Sequence, residues 1–120
     1  MKGLKKKNIK MNKREYYRVR YPIACRPNLA ILNSVYEIMD ISEHGIKFLG
    51  NDVSRFHSDM KIDGMITFDD GISIGIKGKI IRIDRNNAVM FLMESIPFGR
   101  IVAEQRFIKV KYPEYGQDID

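Results

Sequence analysis

The chain has 120 residues, of which 21 are lysine or arginine and 15 are aspartate or glutamate, so its formal net charge is +6. This length predicts one domain, and a hydrophobic fraction of 44% excludes a disordered chain. A single cysteine excludes a disulfide-stapled secreted scaffold, and the longest apolar run, residues 88–93, is far shorter than a membrane span, so we expect a small soluble protein of the cytoplasm.

The excess positive charge is concentrated at the N-terminus. Residues 1–20 hold nine lysines or arginines and one acid, whereas the rest of the chain holds 12 bases and 14 acids. Such a cationic segment favours an anionic partner. Residues 1–12 contain no aromatic side chain, and we interpret them as a flexible basic leader. We expect the folded domain to cover residues 13–112, followed by a short tail at 113–120.

The body of the chain has the pattern of short strands separated by polar turns. Asp70-Gly71 is a hairpin signal, because this pair readily adopts positive φ angles. A change of phase within the following strand suggests a β-bulge near Gly78. The run at 88–93 has the composition of a fully buried strand. Six strands are predicted, at residues 19–26, 29–39, 45–49, 62–68, 72–83 and 88–93, with turns at 40–45, 69–71 and 85–87.

After Pro97 the apolar residues recur at helical spacing. Ser95 is a candidate cap, Pro97 fits the first turn and Pro113 ends the pattern. An all-β succession closed by one helix predicts a six-stranded antiparallel β-barrel with a C-terminal helix. We expect that helix to cover a barrel opening or to form a dimer face. Its predicted inward residues are Phe98, Ile101, Val102, Gln105 and Ile108, with Arg100, Glu104 and Lys109 on the other side.

Nothing in the sequence indicates catalysis. His44 and His57 have no neighbouring histidine or cysteine that would complete a metal site, and no phosphate-binding glycine loop occurs. Cys25 lies beside Ala24 in a predicted strand and is best explained as a small core residue. We therefore predict a protein that is not an enzyme and that has no metal or cofactor.

Two clusters have side chains suited to binding a nucleotide. Arg14 and Arg18 are four residues apart, and guanidinium groups bind phosphate or the guanine O6/N7 edge in a bidentate manner. In the second cluster, Asp40 can accept from the guanine N1–H and amino groups, Ser42 can donate, and Gly45 allows close backbone approach. Taken singly, the first cluster also fits a solvated basic edge and the second an ordinary side-chain-stabilised turn.

Together the two clusters resemble the signature of the PilZ domain family, Arg-x-x-x-Arg followed by Asp/Asn-x-Ser-x-x-Gly. The resemblance implies a six-stranded antiparallel barrel that binds cyclic di-GMP. By position, Arg14 and Arg18 would hold phosphate and a guanine Hoogsteen edge. Asp40 and Ser42 would recognise guanine from the barrel surface, and Gly45 would shape the turn.

The resemblance also implies a role for Lys13, the residue before the first arginine. In related domains this position influences whether one ligand or a stacked pair is bound, and a lysine is compatible with a pair. The protein would then signal to an unidentified partner protein in trans, as a monomer or a homodimer, in motility, biofilm or polysaccharide control.

Two other functions stay open at this point. One is a PilZ-like interaction module that has lost ligand binding. The other is a barrel that binds nucleic acid through the lysine-rich leader, which is less favoured because most aromatic residues fall on predicted core positions.

Overall fold

The computed structural model describes residues 18–115. Lys13, Arg14, the predicted leader and the end of the predicted tail lie outside the described residues. The strands are β1 (Val19–Arg20), β2 (Asn28–Ile31), β3 (Ser34–Ser42), β4 (Gly45–Leu49), β5 (Lys61–Thr67), β6 (Ser73–Ile83) and β7 (Asn87–Leu92). Short 3-10 helices span Ile23–Cys25 and Val53–Arg55, and one α-helix, α1, spans Phe98–Lys111.

Six of the strands form a closed antiparallel barrel. They are hydrogen-bonded in the order β3-β2-β5-β6-β7-β4, and β4 pairs back with β3 to close the ring. β1 adds only two residues, which pair with Asp40 and Ile41 at the C-terminal end of β3. The prediction of a six-stranded antiparallel barrel with one C-terminal helix is therefore confirmed. Within residues 18–115, closure leaves no long exposed sheet edge, which limits unwanted strand pairing.

The barrel is filled by the alternate, inward-facing residues of its strands. Tyr36 of β3 and Phe48 of β4 form an aromatic cluster with Phe56, which follows the second 3-10 helix, and the ring centroids are 5.3 to 5.7 Å apart. Burying each large apolar side chain contributes about 1.5–3 kcal/mol. The fully buried members include Leu29, Ile31, Ile38, Ile41, Ile46, Ile66, Ile80, Met90 and Leu92. The intervening residues of the same strands face outward and are available for binding.

The N-terminal strand predictions were wrong in two places. The single strand predicted at 29–39 is a hairpin, β2 and β3, joined by a turn at Leu32 and Asn33. Leu32 has φ 54°. A positive φ is usually found at glycine, and the sequence has no glycine at this turn that would have predicted it. The strand predicted at 19–26 ends after Arg20, because the chain turns at Pro22 into a 3-10 helix that carries the buried Cys25.

The prediction of a fully buried strand at 88–93 was also wrong. Only the alternate residues Ala88, Met90 and Leu92 are buried, whereas Phe91 is 45% exposed. A strand of a small antiparallel barrel has one face toward the core and one toward solvent. The bulge in β6 lies at Ile81, where the register shifts between Ile80 and Arg82, rather than at Gly78.

The helix occupies the predicted residues, and Ile101 and Ile108 are buried as predicted, but the inward face differs from the prediction at Phe98 and Glu104. Pro97, not Ser95, is its N-cap residue, and no side-chain cap hydrogen bond is formed. Glu104, expected toward solvent, is buried beside Ile101 and Ile108, while Phe98 is exposed. The helix packs next to β1. A buried hydrogen bond from the Tyr21 hydroxyl to the Glu104 carboxylate explains why Glu104 faces inward. Neither α1 nor the 3-10 helices of residues 18–115 could cross a membrane.

Candidate functional site

A β-bulge directs the key carboxylate of the site to the outside of the barrel. On β3, Ile38 pairs with Phe48 and Asp40 pairs with Lys47, although Phe48 and Lys47 are adjacent on β4. Met39 is therefore the extra residue, and it reverses the alternation of β3. Ile38 and Ile41 point into the core. Asp40 is consequently half-buried on the outer surface instead of lying in the barrel interior.

The predicted turn at 40–45 is shorter than expected. Asp40 and Ser42 lie on β3, and only Glu43 and His44 connect it to Gly45 on β4. A Cβ atom at Gly45 would lie 3.2 Å from the Ser42 hydroxyl oxygen. Glycine at this position therefore leaves the hydroxyl accessible.

This tight turn is anchored from two sides. The His44 carbonyl accepts a hydrogen bond from the Leu92 amide at 2.8 Å, and the Glu43 carbonyl accepts one from Ile96, also at 2.8 Å. The His44 ring stacks on Phe91 with a centroid separation of 5.9 Å. The turn is thus fixed to β7 and to the segment before α1, so the Ser42–Gly45 bend is preorganised.

Arg18 reaches the same part of the surface from the other side of β3. It directly precedes β1, where Val19 pairs with the buried Ile41 and Arg20 pairs with Asp40. This pairing fixes the chain at Arg18 against the bulged end of β3. A cleft of about 160 Å³ is lined there by Arg18, Asp40, Ser42 and Gly45, together with Ile46, Lys47, Arg82 and Val89.

The structure therefore brings four of the six predicted site residues to one cleft. Arg18 comes from the first motif, and Asp40, Ser42 and Gly45 come from the second. Lys13 and Arg14 lie outside the described residues.

The electrostatics of the cleft centre on Asp40. Partial burial raises the pKa of its carboxyl group above the ordinary aspartate range, whereas the nearby cations Arg18, Lys47 and Arg20 act in the opposite direction. An ionised Asp40 flanked by cations can accept two hydrogen bonds from a neutral donor edge, while the surrounding positive charges attract anionic groups.

Sequence reasoning missed four residues that line the cleft, Ile46, Lys47, Arg82 and Val89. In the sequence Lys47 and Arg82 are ordinary cations between apolar strand residues. The phase shift in β6 was a visible signal, but the pairing of β6 with β7 and of β7 with β4 is needed to bring Arg82 to Asp40.

A second, wider cleft of about 260 Å³ adjoins the first. It shares Arg18, Asp40 and Lys47 with it and adds Arg20, Tyr21, Arg26, Met39 and Tyr115. The surface around Asp40 is thus rich in guanidinium groups on both sides, which favours anionic ligands.

The described part of the chain shows no arrangement for metal or thiol chemistry. Within residues 18–115, no three histidine, cysteine or acidic side chains are grouped so that they could hold a metal ion. Cys25 is buried, and this burial raises the pKa of its thiol, which disfavours the reactive thiolate. The cleft itself is lined by charged and hydrogen-bonding side chains, among them Arg18, Asp40 and Ser42.

Comparison with known proteins identifies the family whose barrel and motif residues match those of this chain. The family model for the PilZ domain matches residues 12–105. The chain belongs to the PilZ domain family.

Two solved structures resemble the chain at low sequence identity. The Bacillus subtilis inhibitor of motility, MotI/DgrA, is 15% identical with a TM-score of 0.59, and the match covers 89% of this chain and 55% of that one. An uncharacterized Legionella protein is 16% identical with a TM-score of 0.49, and the match covers 82% of this chain and 97% of that one. This chain thus spans just over half the length of MotI/DgrA, which shares its fold. No curated protein matches the chain in sequence.

Proposed function

We propose that this protein is a receptor for cyclic di-GMP that acts on a partner protein rather than by catalysis. The observation that carries the proposal is the meeting of Arg18 with Asp40, Ser42 and Gly45 at one cleft. More than 20 residues separate Arg18 from Asp40 in the chain, and membership of the PilZ family supports the same ligand.

Each side chain has a distinct proposed role. The Asp40 carboxylate accepts hydrogen bonds from the N1–H and amino groups of a guanine, and the Ser42 hydroxyl donates to the ligand. Arg18 binds a phosphate or the guanine Hoogsteen edge through its planar guanidinium. By position in the motif, Arg14 adds a second guanidinium and Lys13 influences whether one ligand or a stacked pair is bound.

The charge of the cleft matches that of the proposed ligand. Arg18, Lys47 and Arg82 oppose one carboxylate, Asp40, so the lining carries a net charge of +2. Cyclic di-GMP carries two phosphodiester charges. Long-range attraction from the nine cations of residues 1–20 would raise the association rate at low ionic strength.

The test is calorimetric titration of the protein with cyclic di-GMP. Replacing Arg18 by alanine removes charge-assisted hydrogen bonds worth about 1.5–3 kcal/mol, so we expect affinity to fall by roughly 10- to 150-fold. Asp40→Ala should weaken binding similarly. Arg106→Ala is the matched control, because Arg106 is exposed on α1 and does not line the cleft.

The outcomes separate the candidate functions. Binding of cyclic di-GMP that is weakened by roughly 10-fold or more in Arg18→Ala and unchanged in Arg106→Ala supports the proposal. If the wild-type protein does not bind cyclic di-GMP, the result would favour the interaction module that has lost ligand binding. Binding of single-stranded DNA in preference to cyclic di-GMP would favour the nucleic-acid reading.

The proposal includes an output in trans. We place the domain at residues 13–112, between a basic leader at 1–12 and a tail at 113–120, and we place the protein in the cytoplasm with a partner protein yet to be identified. The second motif is fixed to β7 and to the segment before α1 by the Glu43 and His44 carbonyls. A change in the Ser42–Gly45 turn on ligand binding can therefore reach α1 through the hydrogen bond between Glu43 and Ile96.

A further inference from the structure

Outward-facing residues of five neighbouring strands form a continuous row that crosses the cleft. The pairing register places Arg20 opposite Asp40, Asp40 opposite Lys47, Lys47 opposite Val89 and Val89 opposite Arg82. Adjacent strands are about 4.8 Å apart, so Arg82 lies three strand steps, or about 14 Å along the surface, from Asp40. The row thus extends well beyond the motif residues.

A second bulge is what brings Arg82 into this row. Ile80 pairs with Met90 and Arg82 pairs with Val89, so Ile81 is the extra residue in β6. Without it, Arg82 would share the inward face of the buried Ile80. The outward positions of Asp40 and of Arg82 therefore each depend on one inserted residue.

Lys47 and Arg82, the two cations at the β4–β6 side of the cleft, both have hydrogen-bond donors that are available to a ligand. Arg82 is held through its Nε, which donates to Asp84 Oδ2 at 3.2 Å, and its side chain is 59% exposed. Residues 18–115 supply no partner to its two terminal nitrogens. Lys47 is half-buried, and the same part of the chain places no carboxylate within ion-pair distance of its ammonium group.

We propose that Lys47 and Arg82 form a second anion-binding subsite, which takes one phosphodiester of a cyclic dinucleotide while Arg18 holds the other. Asp40 lies between the two cationic groups, where it can contact the intervening guanine. This subsite rests on the proposed function and deepens it, because it requires a ligand with two separated phosphodiesters. A mononucleotide could occupy only one of the two cationic groups at a time.

A solvated lysine or arginine on a strand normally contributes little to binding or stability. Lys47 and Arg82 differ because they lie in one cleft, on either side of the short apolar Val89. Val89 leaves space above the sheet and offers no competing polar group. An anion placed there can contact both cations together.

The experiment is titration of the full chain with cyclic di-GMP, comparing wild type, Arg82→Gln, Lys47→Gln and the double variant. Each single change should weaken binding about 10-fold, the gain expected from one charge-assisted hydrogen bond. Arg82→Lys should restore part of the loss, since it keeps the charge but not the planar fork. The matched control is Lys77→Gln, an exposed cation of the same strand outside the cleft.

A repeat at high salt separates direct charge contact from an effect on packing. Screening should weaken the wild type more than Arg82→Gln, so the ratio of their affinities should shrink as ionic strength rises. Thermal melting of every variant checks that the fold is intact.

Each outcome bears on one of the two proposals. If wild type binds and the Arg82 and Lys47 variants stay within twofold of Lys77→Gln, the subsite is refuted and the receptor function stands. A loss that is the same at all salt concentrations also refutes it. If the wild type itself does not bind cyclic di-GMP, the proposed function fails, and the subsite fails with it.

Discussion

Removing one hydroxyl group, in Tyr21→Phe, should destabilise the whole domain. Tyr21 is 3% exposed, and its hydroxyl donates to Glu104 Oε1 at 2.7 Å across 83 residues of chain. Glu104 is 5% exposed, and its other oxygen accepts from Arg100 at 2.9 Å. This contact ties the segment after β1 to α1. The substitution leaves a buried carboxylate with one partner instead of two.

The magnitude follows from the charge of the acceptor. A hydrogen bond to an ionised group contributes about 1.5–3 kcal/mol, so we expect Tyr21→Phe to lower the free energy of unfolding by about 2 kcal/mol. For a domain of this size, that loss corresponds to a fall in Tm of about 10 °C. Burial raises the pKa of Tyr21 far above its ordinary value, so the hydroxyl remains a donor throughout the working pH range.

Thermal and urea unfolding measure this effect, with Tyr115→Phe as the control, because Tyr115 is partly exposed. A double-mutant cycle with Glu104→Gln isolates the pairwise contribution. A Tm within 2 °C of wild type, together with a coupling energy below about 0.5 kcal/mol, would refute the view that this contact joins α1 to the barrel.

Two further predictions concern packing and pH. Gly78→Ala should destabilise the barrel by about 2 kcal/mol or more, because the new Cβ would lie 2.6 Å from the Phe91 carbonyl oxygen. Gly99→Ala, in open space on α1, should be neutral or stabilising, and equal urea midpoints for the two variants would contradict the packing argument. Cyclic di-GMP affinity should fall on acidification as Asp40 protonates, starting above the ordinary aspartate range because burial raises its pKa. Titrations across pH should show this acid limb in wild type, and its persistence in Asp40→Asn would exclude Asp40 as its source.

The fold was predictable where local signals and burial agree. β4 occupies the predicted residues 45–49, and the chain turns at Gly71 with φ 86°, as the Asp-Gly pair indicated. The turn at Leu32 carried no such signal, since the surrounding hairpin imposes a positive φ on a leucine. Glu104 was placed on the wrong face of α1 because helical periodicity cannot anticipate a buried hydroxyl partner such as Tyr21.

The site was predictable only as far as the motifs extend. Arg18 and Asp40 could be associated from their order in the chain and the resemblance they carry. Lys47 and Arg82 could not, because their proximity depends on strand register across β4, β7 and β6. Strand register depends on contacts that are distant in sequence, and a single-residue bulge changes it.

The extra residue at Met39 makes the orientation of Asp40 a matter of chain length rather than of side-chain identity. An alanine at position 39 keeps the extra residue in the strand, so an alanine scan would pass over this determinant. Deleting residue 39 would instead turn Asp40 toward the apolar barrel interior, although every residue of both signature motifs would still be present. Relatives that retain every motif letter but differ by one residue in this strand would then present a different surface to solvent.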